Sequence, residues 1–174
     1  YTESFHFDLI QFRLHREEFA EALAASEAAL TVFDKSAQLE LTRGVALYGL
    51  RRFADAAASF LRAADLDPAI EQPYLFLAKM IDQAAPLLDD IQARAAAFLG
   101  RRQDSPAGYF LLAKVSAAKG EPVTAREELL RKAIALRAEM WEAHFELGLV
   151  REEKKEWKEA AASLERAAAL NPNE

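Results

Sequence analysis

The sequence contains no cysteine, and this absence excludes disulfide bridges and thiolate metal sites. Glycine and proline are scarce, with six of each in 174 residues, so the chain has few residues that interrupt regular structure. Basic residues do not predominate, because 22 Lys and Arg against 28 Asp and Glu give a formal net charge of -6. No basic stripe is present to neutralise a phosphate backbone, and we therefore expect no nucleic-acid partner.

Long apolar runs are also missing. No segment approaches the ~18 uninterrupted apolar residues of a membrane helix. The first ten residues, YTESFHFDLI, lack the positive region and hydrophobic core of a signal peptide. We therefore expect no membrane insertion, and the compartment stays open. The chain begins without Met and in mid-pattern, which we interpret as excision from a longer protein.

Clusters of residues that carry chemistry are missing as well. The histidines are His6, His15 and His144, and no two of them share a helix face at metal-ligand spacing. The adjacent carboxylates of Asp89-Asp90 and Glu152-Glu153 point about 100° apart on a helix. Neither a phosphate-binding glycine loop nor a nucleophile elbow occurs. We therefore predict no cofactor and no metal, and we interpret the chain as not an enzyme.

What the sequence does contain is a repeated pair of short amphipathic helices, clearest in residues 37–69. Apolar residues recur there at helical spacing on both sides of the charged break Arg51-Arg52. Gly44 and Ala56 are small where two helices must cross closely, and Phe60 is large where a gap needs filling. Asp67-Pro68 supplies a cap and a first-turn proline for the next helix. The segment is therefore a helical hairpin that ends in the start of another.

This pattern resembles the tetratricopeptide repeat, whose period is about 34 residues. The first set of residues that carries the resemblance is Gly44, Ala56, Phe60, Ala63 and Pro68. The second set is Leu147-Gly148, Trp157, Ala160, Leu164, Ala167 and Pro172. The resemblance covers nearly the whole chain and implies an all-α fold, a right-handed α-solenoid (superhelix) of antiparallel helix pairs.

We expect one domain of five repeats, at about residues 3–36, 37–70, 71–105, 106–140 and 141–174. The first repeat is atypical, because Ile10 stands where the family has a small residue. The third is weakly marked in its second helix, where we expect Pro86 in the first turn. His6 and His144 occupy a position where the family usually has tryptophan, so we expect both to pack in or near the core.

The resemblance also implies that the first helix of each repeat lines an inner face that binds peptides or proteins. One residue per repeat forms an apolar row, namely Phe7, Leu41, Leu75, Phe110 and Phe145. One turn further on lie Gln11, Val45, Lys79, Lys114 and Leu149. The alternative is that the apolar row only packs first helices together. Lys79 and Lys114 fall side by side on successive repeats and favour an anionic group on the ligand, unless they serve solubility alone.

The leading hypothesis is a non-enzymatic interaction scaffold that binds a protein or peptide of unknown identity. One alternative is a regulatory or substrate-recruiting domain of a larger enzyme, and another is a self-assembling structural spacer. The alanine- and arginine-rich composition suggests a bacterial protein. Asparagine occurs only at Asn171 and Asn173, so the clamp by which chaperone-binding relatives hold a C-terminal carboxylate is disfavoured.

The last predicted helix, from Trp157 to Leu170, precedes a cap-like Asn171-Pro172, which we interpret as a cut at a repeat boundary. A helix without a successor leaves apolar surface open. We therefore predict weak, concentration-dependent self-association through the C-terminal repeat. The candidate residues are Leu149, Ala161, Leu164 and Ala168.

Overall fold

The structure, a computed structural model, describes residues 2–172. In this range it contains ten α-helices, one 3-10 segment and no strand. The all-α fold class of antiparallel helix pairs is confirmed. The helices are α1 (Glu3–His15), α2 (Phe19–Leu30), α3 (Ala37–Gly49), α4 (Phe53–Leu66), α5 (Gln72–Lys79), α6 (Leu88–Arg101), α7 (Pro106–Ala118), α8 (Val123–Leu136), α9 (Trp141–Glu153) and α10 (Trp157–Leu170).

Hydroxyl side chains begin the first helix of three repeats. Thr2, Ser36 and Ser105 each accept a hydrogen bond from the backbone N–H three residues later. For Ser36 and Ser105 the distance is 3.1 Å. These bonds satisfy one of the N–H groups that a helix leaves without a partner in its first turn. The starts of α1, α3 and α7 are thus determined by local chemistry.

Four of the hairpins turn in the same way. A residue in the left-handed conformation follows the first helix, and the next N–H donates to the carbonyl five residues back, which is the Schellman arrangement. The left-handed residues are Glu17, Arg51, Gly120 and Lys155, with φ of 58°, 61°, 68° and 62°. The bonds are Glu18 to Arg13 at 3.0 Å, and Arg52 to Leu47, Glu121 to Ser116 and Glu156 to Arg151 at 2.9 Å each.

The third repeat has no such turn, and Pro86 stands where the donor of its hydrogen bond would be. Pro86 stands 34 positions after Arg52 and 35 before Glu121, at the place of the donating N–H, which proline lacks. Here α5 ends at Lys79 after eight residues, and a 3-10 segment spans Ile81–Leu87. Pro86 follows the non-helical Ala84 and lies two residues before α6 begins at Leu88, at the start of the helical stretch that α6 continues.

The chain forms two compact units, one up to Leu87 and the other from Leu88 onward. In the first unit each helix packs on the next along the chain, and α1 also packs on α3. In the second unit α6 to α10 pack consecutively. Each of the five predicted repeat ranges contains two helices, and in the third range α5 belongs to the first unit and α6 to the second.

Small residues set the closest helix crossings. A β-carbon built on Gly44 would lie 2.5 Å from Cε1 of Phe60, and one on Gly148 would lie 2.6 Å from Cδ2 of Leu164. Both distances are far shorter than van der Waals contact, so these glycines allow α3 to approach α4 and α9 to approach α10. Ile10, the atypical residue at the equivalent place in α1, is fully buried.

Candidate functional site

The most exposed apolar part of the predicted inner face lies on α9. Phe145 is 43% exposed and Leu149 is 40% exposed, and the two lie one helical turn apart. Ala143, Leu147 and Val150, on other sides of the same helix, are buried. Helix α9 therefore buries one face in the core and exposes two large apolar side chains on the opposite face.

The predicted residues on α7 are less accessible than those on α9. Phe110 is only 6% exposed and belongs to the core. Lys114 is half-buried, and its Nζ donates a 2.6 Å hydrogen bond to Oε1 of Glu146. This ion pair joins α7 to α9 beside Phe145. Glu146 thus neutralises the charge of Lys114. Of the two lysines that were predicted to attract an anionic group of the ligand, only Lys79 can then contribute a net positive charge.

In the first unit, the predicted residues of α1 and α3 are all half-buried and lie on helices that pack directly together. These residues are Phe7, Gln11, Leu41 and Val45. On α5, Leu75 is half-buried and Lys79, the last residue of the helix, is exposed. The groove as a whole remains a prediction, with apolar side chains of partial exposure in each unit.

A buried carboxylate, that of Glu127, connects α8 to the C-terminal end of α9. Glu127 of α8, 8% exposed, accepts hydrogen bonds from Nζ of Lys154 at 2.8 Å and from Nη2 of Arg131 at 2.6 Å. The bond from Lys154, helped by the charge of Arg131, lowers the pKa of Glu127 against the opposing effect of burial. The same contact, with a second one from Glu156, raises the pKa of Lys154. The C-terminal end of α9 is thereby tied to α8.

The histidines lie where packing places them. His6 is half-buried, with its ring 5.8 Å from that of Phe5 and 6.0 Å from that of Phe33. His144 is half-buried, and its Nε2 lies 2.9 Å from the carbonyl oxygen of Ala138. In residues 2–172 no three His, Cys, Asp or Glu side chains are grouped to hold a metal ion. No helix in this part of the chain is long and apolar enough to cross a bilayer.

The second unit also contains a shallow pocket of about 400 Å³, which no pattern in the sequence had indicated. It lies between α8, α9 and α10, and three arginines contribute to its lining. The lining residues are Arg131, Ile134, Ala135, His144, Leu147, Arg151, Ala162, Ser163 and Arg166. These arginines are separated by 20 and 15 positions in the sequence, so no local motif marks them.

The predicted self-association surface needs a correction at Leu164. Its side chain is half-buried and packs on Gly148, so it belongs to the crossing of α9 and α10. Ala161 and Ala168 are exposed, and Trp157, which the sequence analysis had not included, is 65% exposed. The open apolar surface of α10 therefore begins at Trp157.

Two family models described as tetratricopeptide repeat match the sequence, one over residues 7–69 and the other over residues 141–174. A comparison with curated proteins finds no match. The helical arrangement is similar to several solved structures. MamA 41-end from Desulfovibrio magneticus RS-1 has a TM-score of 0.68 at 19% identity, over 98% of this chain and 96% of that one.

Two further structures show the same arrangement. PilF from Pseudomonas aeruginosa has a TM-score of 0.73 at 14% identity, over 97% of this chain and 76% of its own. YrrB, reported as a TPR protein with an unusual peptide-binding site, has a TM-score of 0.59 at 13% identity, over 97% of this chain and 86% of its own. At such low identity the similarity is evidence of a shared fold.

Proposed function

The chain belongs to the tetratricopeptide repeat family, and on that premise we propose that it is a non-enzymatic protein-interaction scaffold. Its ligand is a peptide or protein segment that lies along the first helices of the repeats. The observation that carries this proposal is the pair of exposed apolar side chains on α9, Phe145 and Leu149. The peptide-binding site reported for YrrB, which has the same fold, supports it.

Phe145 and Leu149 suit a ligand with apolar anchors. Two large side chains one turn apart match the spacing of anchors on an amphipathic helix or on an extended apolar segment. Burying an exposed aromatic side chain in a partner's pocket is the usual source of interface hot spots. Next to them lies the half-buried Lys114–Glu146 ion pair. Polar groups of the ligand that hydrogen-bond to this lysine or this carboxylate would make the binding more specific.

The two alternatives use different parts of the molecule. A regulatory or substrate-recruiting domain of a larger enzyme would use the same face of α9, and the parent gene on both sides of this sequence distinguishes it from a free-standing scaffold. A self-assembling spacer would instead use the exposed Trp157 on α10. Static light scattering of the chain without ligand separates this alternative from peptide binding.

The test begins by selecting a peptide ligand for the whole chain from a displayed library. Fluorescence polarisation of the selected peptide then compares the parent with the double variant Phe145→Ala and Leu149→Ala. We expect the affinity to fall about tenfold or more, as for truncated hot spots. The matched control is Phe12→Ala, because Phe12 is 60% exposed on α1 and lies outside the predicted row.

Equal binding by the parent and the double variant, or an equal loss in Phe12→Ala, would refute the proposed surface.

The charge test uses Lys79→Glu alone, since Lys114→Glu would also break the ion pair with Glu146. If an anionic group of the ligand meets Lys79, this reversal weakens binding at low salt and reduces its salt dependence.

A further inference from the structure

We propose that the pocket between α8, α9 and α10 is a second ligand site, which takes an organic anion carrying a carboxylate or phosphate group on an apolar body. This site is independent of the proposed peptide surface. His144, Leu147 and Arg151 contribute to the pocket at spacings of three and four residues, so they share one face of α9. Phe145 and Leu149 lie about 100° or more away around the helix.

The charge at the pocket is positive and mostly uncompensated. Arg131 is paired with Glu127 at 2.6 Å. Within residues 2–172, by contrast, no carboxylate forms an ion pair with Arg151 or Arg166. In a chain of net charge -6, two guanidinium groups without a carboxylate partner in one depression create a local potential that attracts anions.

Arg151 is held in position before any ligand arrives. Its Nη1 donates to Oγ of Ser163 at 2.6 Å and to the carbonyl oxygen of Glu159 at 3.1 Å, both on α10. Its Nε is buried without a hydrogen-bond partner. A guanidinium group has five N–H donors in a fixed fork, so Arg151 keeps donors in addition to the two bonds that orient it. A side chain already ordered loses less entropy on binding an oxyanion.

Apart from the arginines, His144 and Ser163, the lining residues are apolar, and they determine which kind of anion the site favours. Leu147 lies at the pocket with Ile134 on one side and Ala162 on the other. The site is a shallow depression open to solvent, and its volume of about 400 Å³ is enough for the apolar body of a small organic molecule to lie against the surface. An inorganic anion would contact the arginines and leave this apolar surface uncovered. The ligand therefore has an apolar body, whether it is a free small molecule or the acidic end of a peptide.

Isothermal titration calorimetry of the full chain tests the site with phenyl phosphate, benzoate and inorganic phosphate as probes. We expect phenyl phosphate or benzoate to bind more tightly than inorganic phosphate. Arg166→Gln should weaken that binding about tenfold, since it removes one charge-assisted hydrogen-bond donor group. Arg166 is exposed, so the variant folds. The ring signals of His144 should shift on addition of the organic anion.

The matched control is Arg101→Gln, which makes the same charge change at an exposed position of α6 in the same unit. Equal binding by the parent and Arg166→Gln, or an equal loss in Arg101→Gln, overturns the site. If inorganic phosphate binds as tightly as both organic probes, the proposal that the ligand has an apolar body is overturned. A short peptide whose C-terminal residue has an aromatic side chain distinguishes a peptide ligand from a small-molecule ligand. Binding tighter than that of benzoate indicates that the site takes the acidic end of a peptide, and no binding indicates that it takes a small molecule.

Discussion

Gly44 and Phe60 show how a single absent β-carbon determines the distance between two helices. Phe60 is fully buried and its ring stacks on that of Phe76 with centroids 5.0 Å apart. A side chain on Gly44 would therefore meet a ring that is already packed on another aromatic side chain. Gly100, on the exposed side of α6, has nothing within 4 Å of the place that an added β-carbon would take, and it is free of this constraint.

We predict that Gly44→Ala destabilises the chain by roughly 1 to 3 kcal/mol, the usual cost of forcing bulk into a packed core. Gly44→Leu and Ala56→Leu should cost at least as much. Gly100→Ala is the matched control and should stabilise by up to about 1 kcal/mol, because alanine has the higher helix propensity. Urea denaturation measures all four, and unchanged stability of Gly44→Ala would show that the crossing tolerates a wider spacing.

Glu127 supports a second prediction at this scale. Its pKa is lowered in the folded chain, so ionised Glu127 stabilises the fold above the ordinary value of 4.5, and the contribution is lost as the pH falls through the folded pKa. Glu127→Gln should cost about 1.5 to 3 kcal/mol at neutral pH, the range for hydrogen bonds to charged groups.

Urea denaturation of the parent and Glu127→Gln across pH measures this effect. The difference between them should be constant above pH 4.5 and shrink below it. Glu128→Gln is the control, since Glu128 pairs with Lys132 on the exposed side of α8 and should change stability little. A difference that grows on acidification would contradict the assigned role of Glu127.

At the scale of the elements, the hairpin turn is the unit that repeats. In this turn the residue after the left-handed one donates its backbone N–H to a carbonyl oxygen of the first helix. Proline is the one residue that has no N–H to donate. Pro86 occupies this position, and the third repeat has a 3-10 segment in place of the turn. The boundary between the two compact units falls at the end of that segment, after Leu87.

We predict that Ala85→Gly with Pro86→Glu restores the common turn and lengthens α5. Glycine adopts the left-handed conformation freely, and glutamate stands at the equivalent place in three of the other repeats. Helicity by circular dichroism should rise, and the backbone amide of residue 86 should become protected from hydrogen exchange. The reverse change, Arg52→Pro, removes the 2.9 Å bond to Leu47 and should cost about 1 kcal/mol or more.

If the double variant keeps an unprotected amide at residue 86 and unchanged helicity, the 3-10 segment is determined by packing of its buried residues. Ile81 and Ala84 are the residues that would then hold it. The two outcomes separate a local, chemical cause of the interruption from a tertiary one.

At the scale of the whole molecule, large exposed apolar residues lie on α1, α8, α9 and α10 and in two of the connections between helices. On α10 they start at Trp157, which is 65% exposed, and continue at helical spacing through Ala161 to Ala168. Alanine contributes little apolar area, so an association through this surface is weak and depends chiefly on the indole.

We predict concentration-dependent self-association of the chain that Trp157→Gln with Ala161→Glu suppresses. Both side chains are exposed, so the changes should leave thermal stability unaltered. Sedimentation velocity over a range of concentrations measures the effect, and Phe12→Ala is the control at an exposed aromatic residue elsewhere. A parent that sediments as a monomer at every concentration would remove this prediction.

The amino-acid sequence by itself determined the fold class, and it determined the pairing and the places of the helices in the four regular repeats. Helix starts at Ser36 and Ser105, breaks at Arg51-Arg52 and small residues at Gly44 and Gly148 all depend on neighbours within one hairpin. Such neighbours are at most about one repeat apart, and periodic apolar spacing records them directly. For the same reason the repeats could be aligned although the third one is interrupted.

Only the tertiary structure decided which of the equivalent side chains are available to a ligand. Phe110 and Phe145 stand at the same position of successive repeats, yet one is 6% exposed and the other 43%. Lys114 meets Glu146, 32 positions away, and the arginines of the pocket come from three helices. Exposure and ion pairing depend on what packs against each helix in space, and equal positions in a repeat have unequal neighbours because each hairpin meets different residues on either side.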